Sequence, residues 1–325
     1  MIPCAIDPAM TLRIEPVIAR PTSSRNISSV ASSLLRHRGS RIGLAIVVAL
    51  ALVAIAAPLL SSHLIGYGPY DPVVPAGVIP PTPPDSRHWL GTDSLGRDLL
   101  ARVIHVARIS LLVGVLAEAV SLCLGLVIGL AAGYYGGRVD EALMRMADVF
   151  FSLPAPLLAL AVIAAFPEPE ALPVLGRLPD PSLVLVFLVL GLIGWAGIAR
   201  LVRAQLLVLR EMDYAAAARA LGVGDVRLLL RHLLPNALAP LMVAVTLGVA
   251  GNILAESWLS FLGLGARPPL PSWGTMITEG QSYLASRPWV CIYPGLALLV
   301  TVLGFNLLGD GLRHALAGRS QPPRG

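Results

Sequence analysis

The sequence predicts an all-α integral membrane protein with six transmembrane helices, and three observations carry that expectation. Of 325 residues, 56% are hydrophobic and only 13% are charged, about half the charged share of an ordinary soluble domain. Six segments carry few or no charges: Gly43 to Leu60, Ile109 to Gly133, Val149 to Pro167, Ser182 to Ala199, Ala237 to Ala255, and Pro288 to Gly309. Each is close to the roughly 20 residues that cross a hydrocarbon core as helix. Arginine placement is the third observation. Seventeen of the 24 arginines lie in the N-terminal tail, the 134–148 turn, the 200–236 region and the C-terminus, whereas the alternate loops hold seven. By the positive-inside rule this predicts both termini and the 200–236 region on the cytoplasmic side.

In chain order, residues 1–42 are rich in Ser, Pro and Arg and read as a mobile cytoplasmic tail. They lack the apolar run and cleavage site of a secretory signal. After the first span, 43–60, comes an extracytoplasmic loop, 61–108, that opens as a proline-rich coil. From Ser94 to Arg108, Leu95, Leu99, Leu100, Val103, Ile104 and Val106 share one half of a helical wheel, opposite Arg97, Asp98, Arg102, His105 and Arg108. That spacing predicts an amphipathic helix on the outer face, packing on the bundle or touching substrate.

Residues 109–309 hold the remaining five spans, and 310–325 form a cytoplasmic C-terminal tail. The third span contains Pro154 and Pro156; the fifth contains Pro240, Gly248, Gly251 and Asn252. Helix breakers persist in a membrane where neighbouring helices or a cavity satisfy the freed backbone groups, so these two spans are candidates to line a pathway. Kinks that merely improve packing fit the same residues. Glu118, inside the second span, is costly in lipid and must face protein or water.

The polar stretch Glu211 to Asn236, EMDYAAAARALGVGDVRLLLRHLLPN, predicts two short helices around a glycine break. In the first, Asp213 to Leu221, the run Ala215 to Ala218 favours helix and offers almost no side-chain bulk. Gly222 can leave the helix with positive φ, Asp225 is placed to cap the second helix, and Pro235 is expected to end it. Val226, Leu229, Leu230 and Leu233 fall at i, i+3, i+4 and i+7, with Arg227 and Arg231 on another side. An interfacial helix on lipid headgroups and a docking element for a cytoplasmic partner both fit this pattern.

All the basic side chains counted in the net charge are arginine. The absence of lysine excludes a P-loop lysine and a Schiff-base lysine from this chain. Cys4, Cys123 and Cys291 are far apart, the histidines lack ligand spacing, and no catalytic triad or metal motif occurs, so neither a catalytic centre nor a metal site is expected.

Ala216, Ala217, Ala218, Arg219, Ala220, Leu221 and Gly222, followed after twelve residues by Leu234 and Pro235, resemble the EAA loop of ABC-importer permeases. Ala216 stands where that family usually has glutamate. The segments 88–111 (HWLGTDSLGRDLLARVIHVARISL), 256–275 (ESWLSFLGLGARPPLPSWGT) and 288–313 (PWVCIYPGLALLVTVLGFNLLGDGLR) are similar to the second membrane subunit of the dipeptide, oligopeptide and nickel importers.

The resemblance spans about residues 40–315. It implies the type I ABC importer permease fold in a bacterial plasma membrane, with Asp213, Tyr214, Ala216 to Arg219, Gly222, Asp225, Arg227, Leu229, Leu230, Arg231, Leu233 and Pro235 forming the ATPase-coupling loop. It further implies a second, non-identical permease subunit, two cytoplasmic ATP-binding subunits carrying the ATP and Mg, and an extracytoplasmic solute-binding protein. No cofactor on this chain and no nucleic-acid partner is expected. The implied cargo is a dipeptide or short oligopeptide, with nickel chelates and glutathione as alternatives. An ion-coupled secondary transporter would want several paired ionisable groups in the spans, where only Glu118 is legible.

Overall fold

The computed structural model describes residues 34–35, 37–265 and 270–317. Most of the expected N-terminal tail, at 1–33, and the chain after 317 lie outside the described residues. Among those described, every regular element is helical apart from isolated β-bridges.

Helix α1, Arg38–Leu59, makes the first crossing and widens into a π-helical stretch at Leu60–Ile65. Helix α2, Leu99–Tyr135, runs for 37 residues, about 56 Å at 1.5 Å per residue. That exceeds a hydrocarbon core of roughly 30 Å, so its ends project beyond the apolar layer. The separate amphipathic helix expected at 94–108 is therefore corrected: its residues from Leu99 onward are the first turns of the second span. Asp98 starts the helix by accepting from the Ala101 amide at 2.9 Å, and no proline interrupts the run from 99 to 135. Leu95 is left outside and exposed, while Leu99, Val106 and Ala107 join a buried cluster with Ile253, Trp273 and Met276.

The third crossing is broken. Helix α3, Gly137–Ser152, and helix α4, Ala155–Ala165, meet at 85°. Leu153 before Pro154 is extended (φ −103°, ψ 135°), as expected for a residue whose helical conformation clashes with the following proline ring. Pro154 is thus the residue preceding α4 and Pro156 lies in its first turn, rather than both kinking one continuous span. Helix α5, Pro181–Leu209, is the partner of both pieces. Arg203 pairs with Asp140 (Nη2 to Oδ2 2.6 Å) and Arg200 with Asp148, while Ala159 and Ile163 pack with Leu183, Val186 and Leu190. The bent pair therefore follows α5 from one end towards the other, and taken as one span it joins five helices long and apolar enough to cross a membrane, for up to six crossings among the described residues.

Helix α6, Asp213–Ala220, and helix α7, Asp225–Leu228, lie at the arginine-rich end. A π-helical turn, Leu229–Leu233, joins α7 directly to helix α8, Leu234–Phe261. Pro235 consequently does not end the second short helix: the backbone runs helically from Asp225 to Phe261. A proline in a regular helix loses the bond to residue i−4 and clashes with that carbonyl. The wider π turn just before it is the kind of local adjustment that accommodates such a break. Helix α9, Trp273–Gly280, lies at the opposite end, and helix α10, Trp289–Ala317, makes the last crossing. His37 before α1 stacks with His314 near the end of α10, ring centroids 5.8 Å apart, so the described ends of the chain meet at one end of the bundle.

The α2–α5 interface is built on glycine. Gly125, Gly129 and Gly133, at four-residue spacing, place α2 against Ile198, Ala199, Val202 and Leu206; a β-carbon added at Gly129 would stand 2.6 Å from the Ala199 carbonyl oxygen. In a membrane, where lipid is as apolar as leucine, close backbone approach through small residues is what holds helices together. Gly129→Val is expected to push the helices apart at a cost of about 1–3 kcal/mol, read as a lower thermal unfolding midpoint in detergent.

Candidate functional site

Two regions gather the residues singled out in the sequence: the loop at the arginine-rich end, and a cavity within the bundle. In the loop, Gly222 has φ +75° with open space around it, the conformation glycine adopts without steric cost. Asp225 does not cap α7. Gly224 takes that position, and the Asp225 carboxylate instead accepts from the Tyr134 hydroxyl at the end of α2.

The alanine run divides by helical period: Ala215 and Ala218 are buried against Leu228 and Leu233, whereas Ala216 and Ala217 are exposed. Asp213 and Tyr214 are exposed at the start of α6. Partial desolvation of its ring pushes the Tyr214 phenol above its ordinary pKa, opposed by a hydrogen bond with Asn236. Arg219 donates to the Arg210 carbonyl and Arg210 to the Gly133 carbonyl, both at 3.1 Å. These contacts fasten the loop to the ends of α5 and α2.

The expected apolar stripe is corrected by the π turn. In π-helix the bond runs from i to i+5, and Leu228 and Leu233, five apart, are both fully buried within the chain. Leu229 is partly buried against the same cluster. Outward exposure falls on Leu221 (84%), Val226 (67%) and Leu230 (55%), with Arg227, Arg231 and Pro235 also exposed. Leu233 is thus a holding residue for the loop and not part of its free surface.

The cavity, about 500 Å³, opens between α4, α5 and α8. Of the residues expected along a pathway, Pro156, Gly251 and Asn252 line it. Pro154 lies at the head of α4, outside the lining. Glu118 and Gly248 sit one shell behind: the Asn252 amide donates to Glu118 Oε2 at 3.0 Å, and the carboxylate rests where a side chain at Gly248 would be.

Three features went unread in the sequence. Glu256, expected beyond the fifth span, is inside α8 and fully buried, accepting from Ser260 at 2.6 Å and from Ser257 at 3.4 Å. At the end opposite the loop, Asp93 and Glu279 share two arginines: Arg102, 2% exposed, donates to Asp93 and, at 2.8 Å, to Glu279, while Arg97 donates to them at 2.7 and 3.2 Å. The arginine clamps from α5 to α3 are the third. The legible signal for the last was the pairing of Arg200 and Arg203 with Asp140 and Asp148; for Glu256 only a longer fifth span would have shown it.

Residues 125–321 match the family described as binding-protein-dependent transport system inner membrane component, and residues 28–86 match the N-terminal transmembrane domain of oligopeptide transport permease C. The chain is 38% identical to the dipeptide transport system permease protein DppC of Alkalihalophilus pseudofirmus, covering 87% of this chain and 86% of the relative. It is 36% identical to the oligopeptide transport system permease protein OppC of Bacillus subtilis, covering 92% of each. Similarity to the glutathione transport system permease protein GsiD of Pectobacterium atrosepticum is 42% over 72% of this chain and 73% of that one. In fold, the chain is similar to a chain of the MetNI methionine ABC transporter in inward-facing conformations, with a TM-score of 0.52 and 19% identity over 67% of this chain and 96% of that one.

Proposed function

Because this chain belongs to the family of binding-protein-dependent transport system inner membrane components, we propose that it is one membrane subunit of an ATP-driven importer whose cargo is a dipeptide or short oligopeptide. The ATPase is a separate subunit, and the arginine-rich end, with both termini, faces the cytoplasm where nucleotide is available. The extracytoplasmic side receives cargo from a solute-binding protein, and a second permease subunit completes the bundle. Relatives named for dipeptide, oligopeptide and glutathione transport support a peptide cargo.

One observation carries the reading. The 211–236 loop buries Ala215, Ala218, Leu228 and Leu233 to hold its own shape, yet leaves Leu221, Val226 and Leu230 exposed beside Arg227 and Arg231. Apolar groups presented on a fastened scaffold, flanked by cations, suit a partner's groove better than they suit water. The test is uptake of labelled dipeptide into proteoliposomes. Accumulation is expected only with ATP, the ATPase subunits, the second permease and the binding protein all present; accumulation by this chain alone without nucleotide would overturn the proposal.

A further inference from the structure

Within the membrane-spanning part of α2, Glu118 is only 5% exposed, and its Oε1 has no hydrogen-bond partner among the described residues. Its Oε2 accepts from Asn252 Nδ2 at 3.0 Å. No arginine or histidine pairs with it among the described residues. A buried carboxylate with one donor is under-satisfied, and such a group costs free energy until a donor or cation reaches it.

Access is built in. Gly248 leaves room for the carboxylate, since a β-carbon there would stand 2.2 Å from Oε2. Asn252, the donor, itself lines the 500 Å³ cavity, and its neighbour Gly251 faces open space. The rest of the lining is almost wholly apolar: Pro156, Leu190, Ile193 and Leu254 are representative. Asn252 thus stands between an otherwise apolar chamber and a carboxylate whose Oε1 has no donor among the described residues.

We infer that Glu118 is the counter-charge for the α-ammonium group of a peptide passing through this cavity, reached when that group displaces the Asn252 amide. An ammonium brings three donors and a full positive charge, where the Asn252 amide brings two neutral N–H donors and gives one hydrogen bond to the carboxylate. The inference rests on the peptide-importer reading and names the chemistry that its cavity recognises. The peptide's own side chains meet apolar walls that offer them almost no hydrogen-bond partner, whereas its N-terminus meets the polar point.

The test is equilibrium dialysis of radiolabelled alanyl-alanine and N-acetyl-alanyl-alanine against the purified permease–ATPase assembly, with the binding protein omitted. The wild-type assembly is expected to bind the free-amine peptide at least about tenfold more tightly than the acetylated one, the scale of one charge-assisted contact. Glu118→Gln, nearly isosteric, should equalise the two by weakening only the free-amine peptide. Gly248→Ala, which keeps the charge but crowds the carboxylate, should narrow the preference in the same way, and Asn252→Ala, which removes the competing donor, should widen it.

A wild-type assembly with no preference, a Glu118→Gln assembly that keeps the wild-type ratio, or a narrowed ratio in Asn252→Ala would each overturn the inference. If Glu118→Gln fails to assemble, the other two variants still decide it. Copurification of the ATPase subunits with each variant reports on the importer reading separately, so failure of one is distinguishable from failure of the other.

Discussion

A chain carrying Val226→Asp and Leu230→Asp together is expected to reach the membrane in normal amount, yet to bind its ATPase subunits at least about a hundredfold more weakly and to lose uptake. The two side chains are 67% and 55% exposed, so the free chain gives up little packing when they change. In a partner's groove each contributes roughly 1.5–3 kcal/mol by burial. Together that is about 3–6 kcal/mol, or two to four orders of magnitude in affinity at 1.4 kcal/mol per tenfold, before the cost of burying carboxylates is added.

The same energy bears on coupling. Driving a two-state equilibrium from 1:99 to 99:1 takes about 5.5 kcal/mol of differential binding, so weakening the grip removes most of what a motor could transmit. Leu233→Asp provides the contrast, because Leu233 is fully buried among Ala215, Ala218 and Leu228. It should lower the amount of folded protein rather than uncouple it. Copurification with the ATPase subunits, compared with membrane abundance, separates the two outcomes. Retained copurification and uptake in the double variant would remove the exposed tip from the coupling role.

Arg102→Ala is expected to destabilise the chain by about 3 kcal/mol, the lower part of the range for breaking a buried ion pair. Arg102 and Asp93 are almost entirely buried, and Arg102 also reaches Glu279 on α9. Removing it leaves Arg97 as the one arginine paired with both carboxylates among the described residues. Arg97 still donates to Asp93 at 2.7 Å, as do the backbone amides of Leu95 and Arg97 at 2.9 Å, which limits the loss. The effect should persist at high salt, since buried charges are weakly screened. Arg145→Ala is the control: its pair with Glu141 is exposed on both sides, and such pairs contribute little. Thermal unfolding in detergent at two salt concentrations checks both, and an unchanged midpoint for Arg102→Ala would show that the cluster does not hold the 93–102 segment to α9.

The sequence alone was enough for the membrane class, six apolar stretches, the glycine turn at 222 and the arginine-rich end, because these depend on composition and on short-range backbone preference. Hydropathy averages over a window, and glycine's positive φ is local, so neither needs the rest of the fold. Where helices start and stop depended on more than the local pattern. Asp98 and a proline-free run fused the amphipathic turns after Leu99 to the second span, and paired prolines broke the third.

Only the tertiary structure decided which apolar residues of the 225–233 stretch face inward. A helical wheel assumes the α period, whereas a π turn sets Leu228 and Leu233 on one buried face and leaves Val226 and Leu230 outside. The meeting of Glu118, Gly248 and Asn252 is likewise beyond sequence reading, since the carboxylate and the amide are 134 residues apart. Side chains so distant come together only when two helices pack closely enough for a glycine on one to leave room for a carboxylate from the other.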